Sequence, residues 1–250
     1  MTFKLLSYNI RFGGLSREAQ LANAITAVSP DLVVFQEAIH PAVIKGLSQA
    51  TGMPFWAARK DHSIGYISRK EIAYHEWHYP AGAKHSFLEI VPAESETRIF
   101  GLHLSARFSK WDEQRRAREI RALLKGIERH QDGFHMLVGD FNTLAPGELL
   151  DVRRLPAWIR ALIWVSGRKL QRDTIQIMLD AGYSDGFRTL HQKEERGYTF
   201  PTWDPHVRLD FVFVPAAFAD RLVTCEVVTE PAAVVRTASD HLPLLAEVEL

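Results

Sequence analysis

Leu32-Val33-Val34-Phe35 is a continuous apolar run, introduced by Pro30-Asp31 and closed by Gln36-Glu37. A short run without polar alternation belongs to a strand covered on both faces. The chain must therefore supply layers on either side of it. Residues 3–8 read as a strand that leads into a Gly13-Gly14 turn, and Ser16 reads as the N-cap of a helix to about residue 28. A second helix is expected over residues 41–50. Between Pro54 and Leu104, aromatic and β-branched runs at 64–68, 72–77, 87–91 and 99–104 read as antiparallel strands and hairpins. Ser109-Lys110-Trp111-Asp112 resembles a capping box. It opens a long amphipathic helix that turns Ile120, Leu123, Leu124 and Ile127 toward the core. Strands return at 134–138, 209–214, 222–228 and 244–248. Strands in runs, with helices outside them, predict two packed sheets covered by helices. No repeat, linker or composition shift marks a boundary. One domain is expected over residues 1–250, with a helical insertion at about 146–182.

Composition narrows the function classes. Lys plus Arg balance Asp plus Glu at 30 each, so no net field draws a polyanion from afar, and any attraction must come from a local patch. The lone cysteine, Cys225, lies in an apolar stretch and reads as a buried structural thiol suited to a reducing compartment. The first residues carry no secretory pattern, and no apolar stretch reaches the ~18 residues of a spanning helix. A soluble cytoplasmic protein is the expectation.

Four motifs place a metal-seeking or proton-handling group at the end of a strand-like segment. They are Ser7-Tyr8-Asn9, Phe35-Gln36-Glu37, Gly139-Asp140-Phe141-Asn142 and Ser239-Asp240-His241. Asp140 and Asn142 are two residues apart, so on an extended backbone they project from the same side. Asp240 and His241 are adjacent, at a turn where both can face a cleft. Oxygen donors with few thiolates favour a hard cation such as Mg²⁺ or Mn²⁺ over zinc. Each motif alone is weak, since a carboxylate at a strand end is more often a turn former or helix cap.

Together and in this order, the motifs resemble those of the endonuclease/exonuclease/phosphatase superfamily. The similarity runs from Asn9 to His241. Two further motifs of that family stand in place, Gly101-Leu102-His103-Leu104 and Arg208-Leu209-Asp210-Phe211. The resemblance implies an α/β fold, a four-layer sandwich of two mixed, mainly antiparallel β-sheets flanked by α-helices. It implies a metal-dependent hydrolase of phosphate esters, above all a phosphodiesterase. Glu37 would be the principal metal ligand, with Asn9 and Asp240 beside it, and Mg²⁺ the ion, Mn²⁺ a substitute. Asp140 would orient or deprotonate the attacking water, and Asn142 would hold a phosphate oxygen. His241 would share a proton with the phosphate while Asp210 accepts from its other ring nitrogen.

His103 matches the second histidine of the deoxyribonuclease and sphingomyelinase branches, placed to donate to a phosphate oxygen or leaving group. Those deoxyribonucleases support that histidine with an acid on the preceding strand. Lys84-His85-Ser86-Phe87-Leu88-Glu89 has none in that place, which leaves Glu89 as the candidate substitute. Ala38-Ile39 follow Glu37 where apurinic endonucleases often carry a threonine-lysine pair, and this weakens a repair role.

Substrate choice is less constrained. Residues 155–165 are almost wholly apolar and flanked by Arg153, Arg154, Arg168, Lys169 and Arg172. They read either as a buried core or dimer helix or as an interfacial segment touching a lipid surface or a nucleic-acid strand. Arg115, Arg116, Arg118 and Arg121, interspersed with Glu113 and Glu119, read as a solvated helix face. His62 and Trp203 fall where the family lines its substrate groove, so both are candidate substrate contacts. The leading expectation is a phosphodiesterase acting on nucleic acid or nucleotides. The alternatives are a sphingomyelinase-like or small-diester hydrolase, a phosphomonoesterase, or an inactive binding scaffold. A scaffold predicts missing catalytic groups, and none is missing.

Overall fold

The structure is a computed structural model that describes residues 2–81, 83–93, 95–106, 109–148, 150–154, 157–165, 172–191 and 196–250, with backbone alone at 158, 159, 162 and 163. The first sheet holds β1 (Thr2–Asn9), β2 (Leu32–Gln36), β3 (Phe55–Ala57), β4 (Ile64–Ser68), and, from the chain's end, two late strands. The second holds β5 (Ile72–His78), β6 (Phe87–Pro92), β7 (Arg98–His103), β8 (His135–Asp140), β9 (Tyr183–Asp185) and β10 (Asp210–Pro215). The late strands of the first sheet are β11 (Leu222–Val227) and β12 (Leu244–Glu249). The helices are α1 (Glu18–Val28), α2 (Pro41–Thr51), α3 (Lys110–Gly126), α4 (Ala157–Val165), α5 (Asp173–Asp180), α6 (Gly186–Leu190) and α7 (Ala232–Ala238).

The sheet orders are β11-β12-β1-β2-β4-β3 and β5-β6-β7-β8-β10-β9. Each has one parallel pair, β1 with β2 and β7 with β8, and antiparallel pairs around it. Both parallel pairs are joined through a helix, α1 and α3, as parallel strands require. The two sheets thus repeat one topology without any repetition in sequence.

Alternate residues explain the layers. Leu5 and Val34 of the first sheet pack with Ile99, Val138 and Val212 of the second. Their neighbours Leu6 and Val33 turn the other way, under Leu21 and Ile25 of α1 and Ile44 and Leu47 of α2. Phe100, Leu137 and Phe211 likewise turn outward under Ile120 and Leu123 of α3 and Ile175 and Met178 of α5. The order is helix, sheet, sheet, helix, a four-layer sandwich. Strands apolar on both faces gain little register from hydrophobicity, because a one-residue slip exchanges one apolar side chain for another. Polar partners fix it instead: buried Gln36 Nε2 donates to Ser7 Oγ at 3.2 Å, and the half-buried Lys4 N to Asp31 Oδ2 at 2.9 Å.

Three local expectations need correction. Ser16 does not cap α1, which begins at Glu18 after Arg17 without a side-chain cap. Ser16 sits at φ 62°, and the Arg17 guanidinium donates to the carbonyls of Ile10, Arg11 and Ala238, which sets the chain's entry into the helix. Ser109 does cap α3, accepting from Asp112 N at 3.1 Å. The α3 charges are not all solvated: Glu113, Arg116 and Glu119 are buried, while Arg115, Arg118 and Arg121 stay exposed. Finally, α4 is not a fully buried helix, for Arg160, Trp164 and Val165 are exposed. The side chain of Trp158, and Arg168 and Lys169, lie outside the described residues. Among the described residues no helix is long and apolar enough to cross a membrane.

Candidate active site

One edge of the sandwich gathers the ends of β1, β2, β7 and β8 and the starts of β10 and β12, because parallel and antiparallel partners meet there in register. Asp210 stands opposite Asp140, and His103 pairs with Asp140 across the parallel ladder. Leu244 opposite Ser7 brings the Asp240-His241 turn to the end of β1. Ser239 Oγ fastens that turn, donating to Asn9 O at 2.7 Å.

The geometry around Asp140 is the centre of the site. Asp140 is 1% exposed. Asn9 Nδ2 donates to Asp140 Oδ2 at 3.0 Å and lies 3.4 Å from Glu37 Oε1, so one amide links the two carboxylates. His241 Nε2 lies 3.8 Å from Asp140 Oδ2, while His241 Nδ1 is 2.8 Å from Asp210 Oδ2. The imidazole is therefore bracketed by two carboxylates. Asn142 N donates to Asp140 Oδ1 at 2.8 Å, and Asn142 Nδ2 to Leu104 O at 3.0 Å, which holds the asparagine in a left-handed conformation with φ 51°. One amide hydrogen of Asn142 remains for a ligand. Glu37 is also left-handed, φ 58°, an unusual state for a glutamate that marks a site held by its surroundings. Phe12 N donates to Glu37 Oε2 at 2.5 Å.

Charge follows from this crowding. Burial alone would lower the pKa of His241, but Asp210 and Asp140 outweigh it and hold the imidazolium up to about 10. Burial pushes Asp140 up to about 7, with Asp210 adding to the rise and His241 opposing it. His103 goes the other way, down to about 3, through burial and the nearby His85 and His241. At neutral pH the site thus holds a charged His241, a neutral His103 and an Asp140 close to its midpoint.

His103 Nδ1 meets Ser63 Oγ, and Nε2 is 3.7 Å from Asp140 Oδ2. Glu89 does not support it. That carboxylate pairs with His78 Nε2 at 2.7 Å and with Arg98, because its side chain sits mid-strand on β6 rather than at the active edge. His62 lines the cleft beside Glu37 and His103, and both its ring nitrogens are engaged, by Lys60 O and Tyr79 Oη. Trp203 is 66% exposed and lies edge-on to Phe200, whose ring is 4.9 Å from that of His241. Two neighbours escape the sequence reading. Arg11 Nε approaches Asp240 Oδ2 at 3.3 Å, and Phe12, whose backbone N–H donates to Glu37, is 69% exposed. Only their place immediately after Ser7-Tyr8-Asn9 signals them.

The donor set fits a hard divalent cation. Carboxylates of Glu37, Asp140, Asp210 and Asp240 outnumber the nearby cations Arg11 and His241, and buried Asp210 Oδ1 has no hydrogen-bond partner among the described residues. Oxygens of Asp140 and Asp210 and a His241 nitrogen also lie within 4.8 Å of one another, a span a metal ion could bridge. Asp210 and Asp140 hold His241 as an imidazolium, which offers no lone pair to a metal, so the oxygen-rich Glu37 side is the better match.

This fold and this arrangement of acids and imidazoles define a phosphoric ester hydrolase. The chain belongs to the Endonuclease/Exonuclease/phosphatase family, whose sequence profile matches residues 6–241. Enzymes of this family are metal-dependent. Among solved structures the fold is shared with the 3′ phosphatase NExo from Neisseria bound to product DNA hairpin, at 22% identity and TM-score 0.74, covering 99% of this chain and 100% of that one. It is shared with an AP endonuclease from Archaeoglobus fulgidus, at 17% identity and TM-score 0.76 over 99% and 100% of the two chains. D. rerio TDP2 complexed with single strand DNA product aligns at 20% identity and TM-score 0.68 over 100% and 99%. No curated protein matches the sequence.

Proposed function

We propose that the protein is a Mg²⁺-dependent phosphodiesterase acting on nucleic acid or nucleotides in a reducing cytoplasm, with Mn²⁺ able to replace Mg²⁺. The observation that carries this reading is Asp140, linked to Glu37 through Asn9 on one side and faced by the Asp210-supported His241 on the other. Glu37 and Asp240 would hold the cation, with Asn9 orienting Glu37. Bound there, a divalent cation supplies charge neutralisation at a phosphate oxygen.

The chain's own groups account for the proton and charge movements. Asp140, pushed up to about 7, is matched to accept the proton of the attacking water near neutral pH. His241, charged and held by Asp210, donates to a non-bridging oxygen as negative charge builds there. Asn142 offers its second amide hydrogen to the phosphate. His103 is neutral, so it serves as a hydrogen-bond donor through Nε2 when Nδ1 accepts from Ser63.

Nucleic acid is favoured by two exposed aromatic residues, Phe12, whose backbone N–H donates to Glu37, and Trp203, edge-on to the Phe200 ring that adjoins His241, since base stacking needs exposed aromatic faces near the scissile phosphate. The similar structures that hold DNA products agree with this choice. Exposed Trp164 and Val165 favour a second reading, a lipid head-group diester presented at a membrane surface. A panel of single-stranded DNA, duplex DNA, RNA, sphingomyelin vesicles and bis-p-nitrophenyl phosphate, with Mg²⁺, separates them. Nucleic-acid cleavage that disappears in Glu37→Ala supports the first reading. Vesicle hydrolysis with intact DNA replaces it by the second.

A further inference from the structure

The cleft beside the catalytic edge, about 450 Å³, holds basic side chains that the chemistry above leaves unused. Its lining includes Glu37 and Asp61, and also Lys84 and His85 next to His103. The His85 ring lies parallel to that of His103, with centroids 6.1 Å apart and planes inclined by 11°. Its Nδ1 is 3.5 Å from Glu119 Oε1. Among the described residues, neither His85 Nε2 nor Lys84 Nζ has a partner.

Glu119 gives this pair its meaning. It reaches across from α3, is 3% exposed, and accepts from Lys84 N at 3.2 Å, Ser105 N at 3.2 Å and Ser105 Oγ at 3.1 Å. Burial opposes its ionisation, yet His85 and the Ser105 bonds hold its carboxyl below the ordinary glutamate range. Sequence offers Glu89 as the acid behind His103; the carboxylate that reaches this cleft comes instead from α3 and stands behind His85, one ring farther along. An imidazolium whose Nδ1–H faces a carboxylate presents Nε2–H outward, and a phosphate arriving at Nε2 favours that protonated form. A flexible ammonium adjoins it. The 6.1 Å between the rings exceeds the axial rise of about 3.4 Å per nucleotide in a duplex, a gap that suits a strand drawn out beyond duplex spacing.

We propose that Lys84 and His85, backed by Glu119, form a second phosphate subsite that grips the phosphate next to the scissile one. It selects substrates with two or more phosphates in a row. This inference rests on the nucleic-acid reading and deepens it. A single-phosphate diester fills only the catalytic position, whereas an oligonucleotide fills both.

The test compares KM and kcat for bis-p-nitrophenyl phosphate and for a single-stranded tetranucleotide, with Mg²⁺, in the full-length protein and in His85→Ala, His85→Gln and Lys84→Ala. In His85→Ala the rise in tetranucleotide KM should exceed the rise for the diester by about tenfold, with tetranucleotide kcat changed far less. His85→Gln, which keeps a donor, should recover part of that loss. Lys84→Ala should flatten the salt dependence of tetranucleotide KM by about 0.7 log units per log unit of salt. Equal shifts for both substrates, or none for either, would overturn the subsite and leave Glu119 as a loop fastener. If the wild type hydrolyses the diester and no oligonucleotide, the nucleic-acid reading fails. The subsite is then judged by inhibition: the tetranucleotide must inhibit diester hydrolysis about tenfold more weakly in His85→Ala, and an unchanged inhibition constant rejects it.

Discussion

Asp140 and His241 face each other beside Asp210, and the ionisation of these two fixes a pH window. His241 is raised to about 10, so it keeps its proton below that value and loses it above. Asp140 is raised to about 7, so it loses its capacity as a base as pH falls through that value. The rate should therefore peak between about 7 and about 10 and fall on both sides. In Asp210→Asn the carboxylate nearest the imidazolium is gone, and the alkaline limb should move down toward the ordinary histidine value of 6.5. The pH profile of kcat/KM checks this, and an alkaline limb unmoved by the substitution would assign it to another group. Asp140, Asn142, Asp210, His241, Glu37 and Asn9 were all legible in the sequence, because each closes or opens a recognisable strand. The serine behind His103 was not. Ser63 arrives from the loop before β4, and nothing in its neighbours announces that it will replace a carboxylate.

Among elements, α3 does more than cover the second sheet. Glu113 Oε2 accepts from Arg116 Nε at 3.0 Å and from Thr143 Oγ1 at 2.8 Å, and Glu113 Oε1 from Thr174 N at 2.8 Å. Arg116 Nη1 donates to Ser105 O at 2.7 Å. The pair joins α3 to the loop after Asn142, the loop after His103 and the start of α5. Glu113→Ala leaves the Arg116 charge buried, which costs about 3–5 kcal/mol. At the protein's size that lowers Tm by on the order of 10 °C, readable by calorimetry. A change under about 2 °C would mean that the pair is hydrated. Gly139→Ala is a sharper case. Gly139 sits at φ 146°, and a Cβ there would lie 1.9 Å from Leu102 O, so the substitution should prevent β7 and β8 from pairing and yield insoluble or unfolded chain. Long strands and the capped α3 were readable because apolar runs and Ser109 mark them. The three-residue strands β3 and β9 and the short α6 and α7 were not, since so few residues set no period. The burial of Glu113, Arg116 and Glu119 was equally hidden, because charges interspersed along a helix look the same solvated or paired.

For the whole molecule, balanced charge sets how it meets a polyanion. With Lys plus Arg equal to Asp plus Glu at 30 each, binding rests on a few local contacts. Each phosphate contact on a single strand contributes a slope of about −0.7 to log K against log salt. Two or three contacts predict a slope no steeper than about −2, measured by fluorescence anisotropy of a labelled oligonucleotide. A slope near −5 would require an extended basic face. The four layers followed from the sequence because the strand order of motifs is kept. The matched topology of the two sheets did not, since it lives in strand order and leaves no repeated residues.

The most direct measurement is cleavage of a labelled single-stranded oligonucleotide after chelation and again after Mg²⁺ is restored, in the wild type and in Asp140→Asn. Activity should vanish on chelation and return with Mg²⁺, and Asp140→Asn should remain about 10²–10⁴-fold slower, the range of a lost general base. Cleavage that survives chelation, or an Asp140→Asn rate within tenfold of the wild type, would contradict the assignment of this site.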